Sequence, residues 1–351
     1  MKNKRFLFAI IFLTALLLTA GYIISQNSKF DAPTNASTIT VTEIKRVDFD
    51  TFLDSNIVWI PGEENSVAAL YSHMERNNTT EFTYHQETSV NAYNLETGEI
   101  SEAYNLWDYG INMGNGRGFF WSQDGSRLVT DIGGVVDLEE KTGSWINLPK
   151  EYGNINVIGI SSDGKIILVN GTGEKSGFFI VNADNGQYHL FNMPPSIFSS
   201  PFGVLSWSSD GKWMAAQSYD PDHIPKDVIE ALNAPQALYL LRADGQEAHV
   251  IARNIDGDIN SVAFSPDGSK LVWVETHKNN DQFVYIANID GSGAHEIFSN
   301  ANLPPEYNIT SNILWSPDGN RLVYVGYHGG EFIYPFWILT LGSGETVTSS
   351  Q

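Results

Sequence analysis

Five times along this chain an aromatic or aliphatic residue is followed by Ser, one variable residue, Asp and Gly. The copies are Trp121 to Gly125, Ile160 to Gly164, Trp207 to Gly211, Phe264 to Gly268 and Trp315 to Gly319. A sixth, degenerate copy starts at Trp59-Ile60-Pro61-Gly62, with Glu63, Glu64 and Asn65 in place of an Asp-Gly turn. From Trp59 onward the spacings are 62, 39, 47, 57 and 51 residues, the period of propeller blades with the excess taken up in loops. The Asp-Gly pairs read as turns, since Gly takes positive φ without a Cβ clash and Asp bonds nearby amides. They are Asp124 and Gly125, Asp163 and Gly164, Asp210 and Gly211, Asp267 and Gly268, and Asp318 and Gly319.

After each turn comes a run of branched or aromatic residues, such as Lys270 to Val274 or Arg321 to Val325, which reads as a second strand. A third follows in Ala237 to Leu241, Phe283 to Ala287 and Phe336 to Thr340. Fourth strands such as Gln187 to Phe191 are more polar. The middle strands are apolar at consecutive positions, as expected where neighbouring sheets cover both faces, whereas a sandwich would show alternation. The expected fold is therefore all-β: a six-bladed β-propeller of four-stranded antiparallel blades, preceded by one apolar N-terminal helix. The alternating stretch Ile39 to Ile44 is expected to add a strand to the last blade and close the ring.

The pattern aromatic-Ser-Pro-Asp-Gly followed two residues later by Leu-Val-aromatic stands at Phe264 to Trp273 and Trp315 to Tyr324. It resembles the WD-like repeat of TolB-type six-bladed propellers, over residues 52 to 350. The first copy lacks Asp-Gly, the third has Ile160 for the aromatic residue, and residues 38 to 51 hold no counterpart of TolB's amino-terminal domain. The resemblance implies the fold, and a role either as a docking module or as the non-catalytic propeller of prolyl oligopeptidase and dipeptidyl peptidase enzymes.

Lys2, Lys4 and Arg5 precede Phe6 to Ile24, an uncharged apolar run of 19 residues. As a helix it would span about 28 Å, the thickness of a bilayer core. Residues 1–25 therefore read as a membrane anchor or signal peptide, 26–38 as a flexible tether and 39–351 as the propeller. The basic flank places the propeller outside the cytoplasm on a single-pass anchor. Thr19-Ala20-Gly21 offers a cleavage site that would instead leave a secreted or periplasmic protein. A formal net charge of −21 excludes nucleic acid as a partner, because phosphates would be repelled. With no Cys in the chain, disulfides and thiolate sites are ruled out.

Loops joining second to third strands, and one blade to the next, share one face of a propeller. Counting six residues from the first apolar position of each second strand reaches His73, Tyr219, His277 and His328. These four are the candidate ligand-binding residues. Long loops at Met74 to Glu87 and Asp220 to Gln236 are expected to overhang them. No metal is expected: Asn254 to Asp258 departs from a calcium loop at its sixth position, Ile259, and its twelfth, Ser265. No cofactor fingerprint, Gly-x-Ser-x-Gly elbow or His-Glu-x-x-His motif occurs. The expected function is a membrane-tethered binding or scaffolding module for a protein, peptide or glycan. The alternative is a propeller enzyme of lyase or lactonase type with its site at the channel mouth.

Overall fold

The computed structural model of the chain describes residues 39–48, 57–76, 84–112, 118–191, 203–227, 230, 234–255, 257–304, 307–328 and 335–343. The apolar run and tether of the amino terminus lie outside the described residues. Among the described residues no helix is long and apolar enough to cross a membrane.

Each repeat forms one four-stranded antiparallel sheet, and six sheets make a propeller. The first blade comprises β2 (Ile57–Trp59), β3 (Ser66–Arg76), β4 (Tyr84–Asn94) and β5 (Ile100–Asn105). The second holds β6 (Phe119–Trp121), β7 (Arg127–Thr130), β8 (Gly134–Asp137) and β9 (Thr142–Trp145), and the third β10 (Ile155–Ile160), β11 (Ile166–Gly171), β12 (Gly177–Asn182) and β13 (Tyr188–Leu190). The fourth consists of β14 (Gly203–Trp207), β15 (Trp213–Tyr219), β16 (Gln236–Arg242) and β17 (Ala248–Ile255). The fifth follows with β18 (Gly257–Phe264), β19 (Lys270–His277), β20 (Gln282–Asn288) and β21 (His295–Ser299). In the sixth, β22 (Tyr307–Trp315), β23 (Arg321–His328) and β24 (Phe336–Ser343) are completed by β1 (Ile39–Val47) as outermost strand. The expected closure is thus observed, with Ile39 opposite Ser343 and Val47 opposite Phe336.

The core is divided among the blade interfaces. Ile57, Val67 and Tyr93 of the first blade pack with Val323, Val325 and Phe336 of the sixth. Trp273 and Leu271 of the fifth pack with Leu238 and Leu240 of the fourth. Strand alternation explains the consecutive apolar runs: Trp315 turns to the fifth blade and its neighbour Leu314 to the first, so both positions are covered. The leading residue of every motif copy packs toward the preceding blade, Trp121 on the first and Trp207 on the third. Those that are buried outright, Ile160, Phe264 and Trp315, each contribute about 1.5–3 kcal/mol.

The motif turns share one hydrogen-bond pattern. The buried Ser265 hydroxyl donates to Asp267 Oδ1 at 2.6 Å and accepts from the Lys270 N–H at 2.9 Å, while Asp267 Oδ1 accepts from the Ser269 N–H at 3.0 Å. Ser122 with Asp124, Ser161 with Asp163 and Ser208 with Asp210 repeat the first bond at 2.7 Å, and Ser316 with Asp318 makes it too. The five glycines hold φ between 68° and 79°, so any other residue would be strained there. In the degenerate first copy Ile60 replaces the Ser, Gly62 takes φ 82°, and the Ile60 N–H reaches Ser66 O at 3.1 Å.

The closing strand β1 carries extra clamps. The Arg46 guanidinium of β1 lies 4.8 Å from the Tyr307 ring centroid, and His295 Nε2 lies 2.8 Å from Ile39 O.

Burial acts against ionisation at Asp124, Asp163, Asp210 and Asp318, but hydrogen bonds from Ser and backbone N–H groups outweigh it and hold all four below the usual carboxylate range. At Asp267 the Ser265 hydroxyl is the leading cause of the same depression. The folded values lie below the unfolded ones, so this stabilisation is present above the ordinary Asp value and is lost as pH falls through the depressed values. Asp267→Asn is expected to lower stability by about 1 kcal/mol near neutrality. It should also flatten the loss of stability below about pH 4 in denaturant titrations run as a function of pH.

Candidate functional site

Antiparallel order separates two faces. The motif turns and the turns from third to fourth strands share one face, which we call the turn face. The second-to-third connections and blade-to-blade connections share the other, the loop face. Turn-face connections are short and alike. Those of the loop face vary, from residue 256 alone between β17 and β18 to residues 220–235 between β15 and β16. On this face Asn105 caps a 3₁₀ turn at Leu106–Tyr109, accepting from the Trp107 N–H at 3.0 Å, and Trp107 stands 39% exposed. The expected loop at Met74 to Glu87 is largely strand, because β3 and β4 stay paired as far as Arg76 opposite Tyr84.

The pairing of first and second strands sets the true register of the four candidates. Trp59, Phe264 and Trp315 lie opposite Val67, Leu271 and Leu322, and six residues further are His73, His277 and His328. In the fourth blade, however, Trp207 lies opposite Met214. Trp213 occupies the position of Arg321 and Lys270, so the counterpart of the histidines is Asp220. Tyr219 is one residue early and does not share their register. His73 pairs with Glu87 and His328 with Tyr307, in separate blades.

Around His277 a polar cluster caps the interface of the fourth and fifth blades. Trp273, Glu275 and His277 alternate onto one face of β19, the face whose Trp273 and Leu271 pack on the fourth blade. Glu275 is buried at 6% exposure. Its Oε1 accepts from the Trp273 indole N–H at 2.7 Å, and its Oε2 lies 3.2 Å from His277 Nε2. An ionised carboxylate only accepts, so Nε2 is the donor, and in the neutral imidazole Nδ1 is then the acceptor. The His277 ring packs on Phe283 with centroids 4.8 Å apart. Across the interface, Gln236 shares the β16 face that carries Leu238 and Leu240 into the same core. Its Oε1 is buried and, among the described residues, has no hydrogen-bond partner. Tyr219, opposite Gln236 on β15, is 5% exposed.

Behind this cluster the buried Tyr239 hydroxyl donates to Tyr219 O at 2.8 Å. Burial, aided by the nearby Asp220 charge, pushes the Tyr239 phenol up to about 12. Asp220 is 1% exposed and accepts from the Asp222 N–H at 2.9 Å. Chemically, the end of this interface offers acceptors: a buried carboxylate, an amide oxygen and an imidazole nitrogen. Such a set suits ligands that present N–H or O–H donors. No group of three or more His, Asp or Glu among the described residues is placed to hold a metal ion. Neither Gln236 nor Glu275 is marked by a motif; the available signal is an acidic residue directly after the apolar run Leu271 to Val274 and two positions before His277.

No protein-family model matches the chain. A segment of 104 residues is 32% identical to a "Probable dipeptidyl-peptidase 5" of Emericella nidulans, covering 26% of this chain and 13% of that protein. A second protein of the same description, from Aspergillus clavatus, is 31% identical over 140 residues, covering 35% of this chain and 18% of its own length. The matches thus span less than a fifth of either curated relative. Among solved structures, one described as "putative TolB from Agrobacterium tumefaciens" superposes with a TM-score of 0.52 at 17% identity, over 74% of this chain and 91% of that one. At that identity the likeness concerns fold, and the fold is that of the TolB-type six-bladed propeller.

Because the Tyr239 phenol titrates above its unfolded value of about 10, the neutral form contributes stability that is present below that value and is lost as pH rises toward about 12. Tyr239→Phe is expected to remove this alkaline limb, read as a smaller fall in the denaturation midpoint across that window. An unchanged fall would show that Tyr239 does not titrate there.

Proposed function

We propose that the chain is an exported, membrane-tethered propeller that binds a protein, peptide or glycan through the loop face, at the junction of the fourth and fifth blades. The observation that carries this reading is the buried Glu275 carboxylate holding His277 at the interface to which the fourth blade brings Gln236, whose buried Oε1 has no hydrogen-bond partner among the described residues. A polar set at the end of an otherwise apolar interface costs stability, and a ligand's donor groups would offset part of that cost. His277 keeps about a third of its side chain exposed, which gives a partner access. The tether rests on Lys2, Lys4 and Arg5 ahead of Phe6 to Ile24.

Photo-crosslinking from Lys278, exposed beside His277, should yield a discrete adduct in cells, whereas the same probe at Lys212 on the turn face should not. His277→Ala and Glu275→Gln should each weaken capture about tenfold. Equal labelling from both faces, or labelling indifferent to His277, would refute the site. Turnover of a sugar acid or lactone that is lost with His277 would move the reading to an enzyme. For the tether, a 38.9 kDa species should stay with membranes through an alkaline wash. A shorter species in the supernatant would indicate cleavage instead.

A further inference from the structure

The first residue of β7 and the first residue of β23 occupy the same register in their blades, and both are arginines. They permit a comparison inside one molecule. Arg127 lies opposite Asp137 and binds it through Nε at 3.3 Å and Nη2 at 3.2 Å. It also crosses to the next blade, donating to Gly164 O at 2.9 Å and Asp184 Oδ1 at 2.5 Å. Two carboxylates therefore fill the space where the second and third blades meet.

Arg321 makes the same crossing at the ring seam, with Nη1 on Asn65 Oδ1 and Nη2 on Glu64 O, both at 2.8 Å. Its carboxylates are displaced. Thr340 stands opposite it where Asp137 stands opposite Arg127, and the Thr340 hydroxyl donates instead to Glu43 at 3.4 Å. Glu96 follows Leu95 in its turn as Asp184 follows Ala183, yet it accepts from Asn65 at 3.2 Å. Among the described residues Asp318, at 3.7 Å, is the one carboxylate within 4 Å of the Arg321 guanidinium, and none of them places an acceptor on its Nε.

The seam consequently holds a cavity of about 310 Å³. Arg321 and Lys45 supply positive charge, Glu43 and Glu96 negative charge, and Leu95 and Ile338 apolar wall. Among the described residues the Lys45 ammonium is held only by a 3.4 Å contact to Leu95 O.

We propose that this cavity binds a free α-amino acid with an apolar side chain. The ligand's carboxylate takes the place beside Arg321 that Asp137 takes beside Arg127, and Lys45 neutralises it from the other side. Its ammonium lies between Glu43 and Glu96, and its side chain packs on Leu95 and Ile338. A zwitterion fits where a simple anion does not, because a chain of net charge −21 repels a lone carboxylate. The site is on the turn face and does not depend on the loop-face reading.

Calorimetric titration of the full chain with L-leucine tests this, with acetate and butylamine as half-ligands. Leucine is expected to bind saturably at one site, about tenfold or more tighter than either half. Thr340→Asp supplies the internal carboxylate of the second blade, so it should weaken leucine at least about tenfold while leaving the thermal midpoint equal or higher. Lys45→Glu, an exposed change that leaves the Arg321 crossing in place, should weaken leucine similarly and serves if Thr340→Asp fails to fold. Leucine binding no tighter than acetate, no saturable binding, or affinity unchanged in the folded variants would overturn the proposal.

Discussion

A sheet that is apolar on both faces is stable in water only when both faces are covered, and this one constraint shapes the whole ring. Val323 and Val325 alternate with Leu322 and Tyr324 along β23, and the two sets belong to interfaces with different neighbours. No blade of that composition has a free side. Covering must therefore propagate from blade to blade until the last meets the first, and the chain meets this demand by lending β1 to the sixth blade. Closure from the amino-terminal side also joins strands nearly the full described length apart, with Ile39 against Ser343. Those pairings are the least local in the molecule and are expected to form late.

Covering both faces leaves register as the remaining problem, since a slip of one residue exchanges the two apolar faces without exposing anything. Polar chemistry has to supply what the hydrophobic pattern cannot. In five blades the Ser and Asp of the motif do so: the Ser hydroxyl ties Asp to the first amide of the second strand, and only one alignment satisfies both bonds. The degenerate first copy lacks this device. There the longer pairing of β3 with β4, continuous from Ser66 to Arg76, can hold the alignment.

What was legible in the residues follows the same division. Blade number, strand order and the closing strand could be read because they rest on local patterns: a repeated turn, consecutive apolar runs and one alternating stretch near the amino terminus. The register of Tyr219 is obscured because Trp213 is apolar where other blades carry Lys270 or Arg321, which puts the apparent start of the apolar run one residue early. No local pattern marks that Gln236 and Glu275 share one interface, to which different blades bring them. The same holds for Arg321, whose distinction from Arg127 lies in Thr340 and Glu96, residues on a facing strand and in the next blade. Patterns within a strand report the fold; differences between equivalent positions of separate blades report the sites.

That contrast has a physical basis in how the interfaces are built. Their centres must be apolar and tightly packed, so their residues are interchangeable among Val, Leu, Ile and aromatics and carry little individual chemistry. At their ends the packing requirement relaxes while the frame stays rigid. A polar group placed there, whether Glu275 on the loop face or Arg321 on the turn face, is held in position by a core that does not need it. Six interfaces with two ends each give the ring many such positions that can diverge without disturbing closure. At the seam, removal of a single carboxylate relative to the second blade leaves a cavity lined by both charges, with the Arg321 crossing intact. Repetition secures the scaffold, and a departure from repetition at an interface end is where specific chemistry can enter at little structural cost.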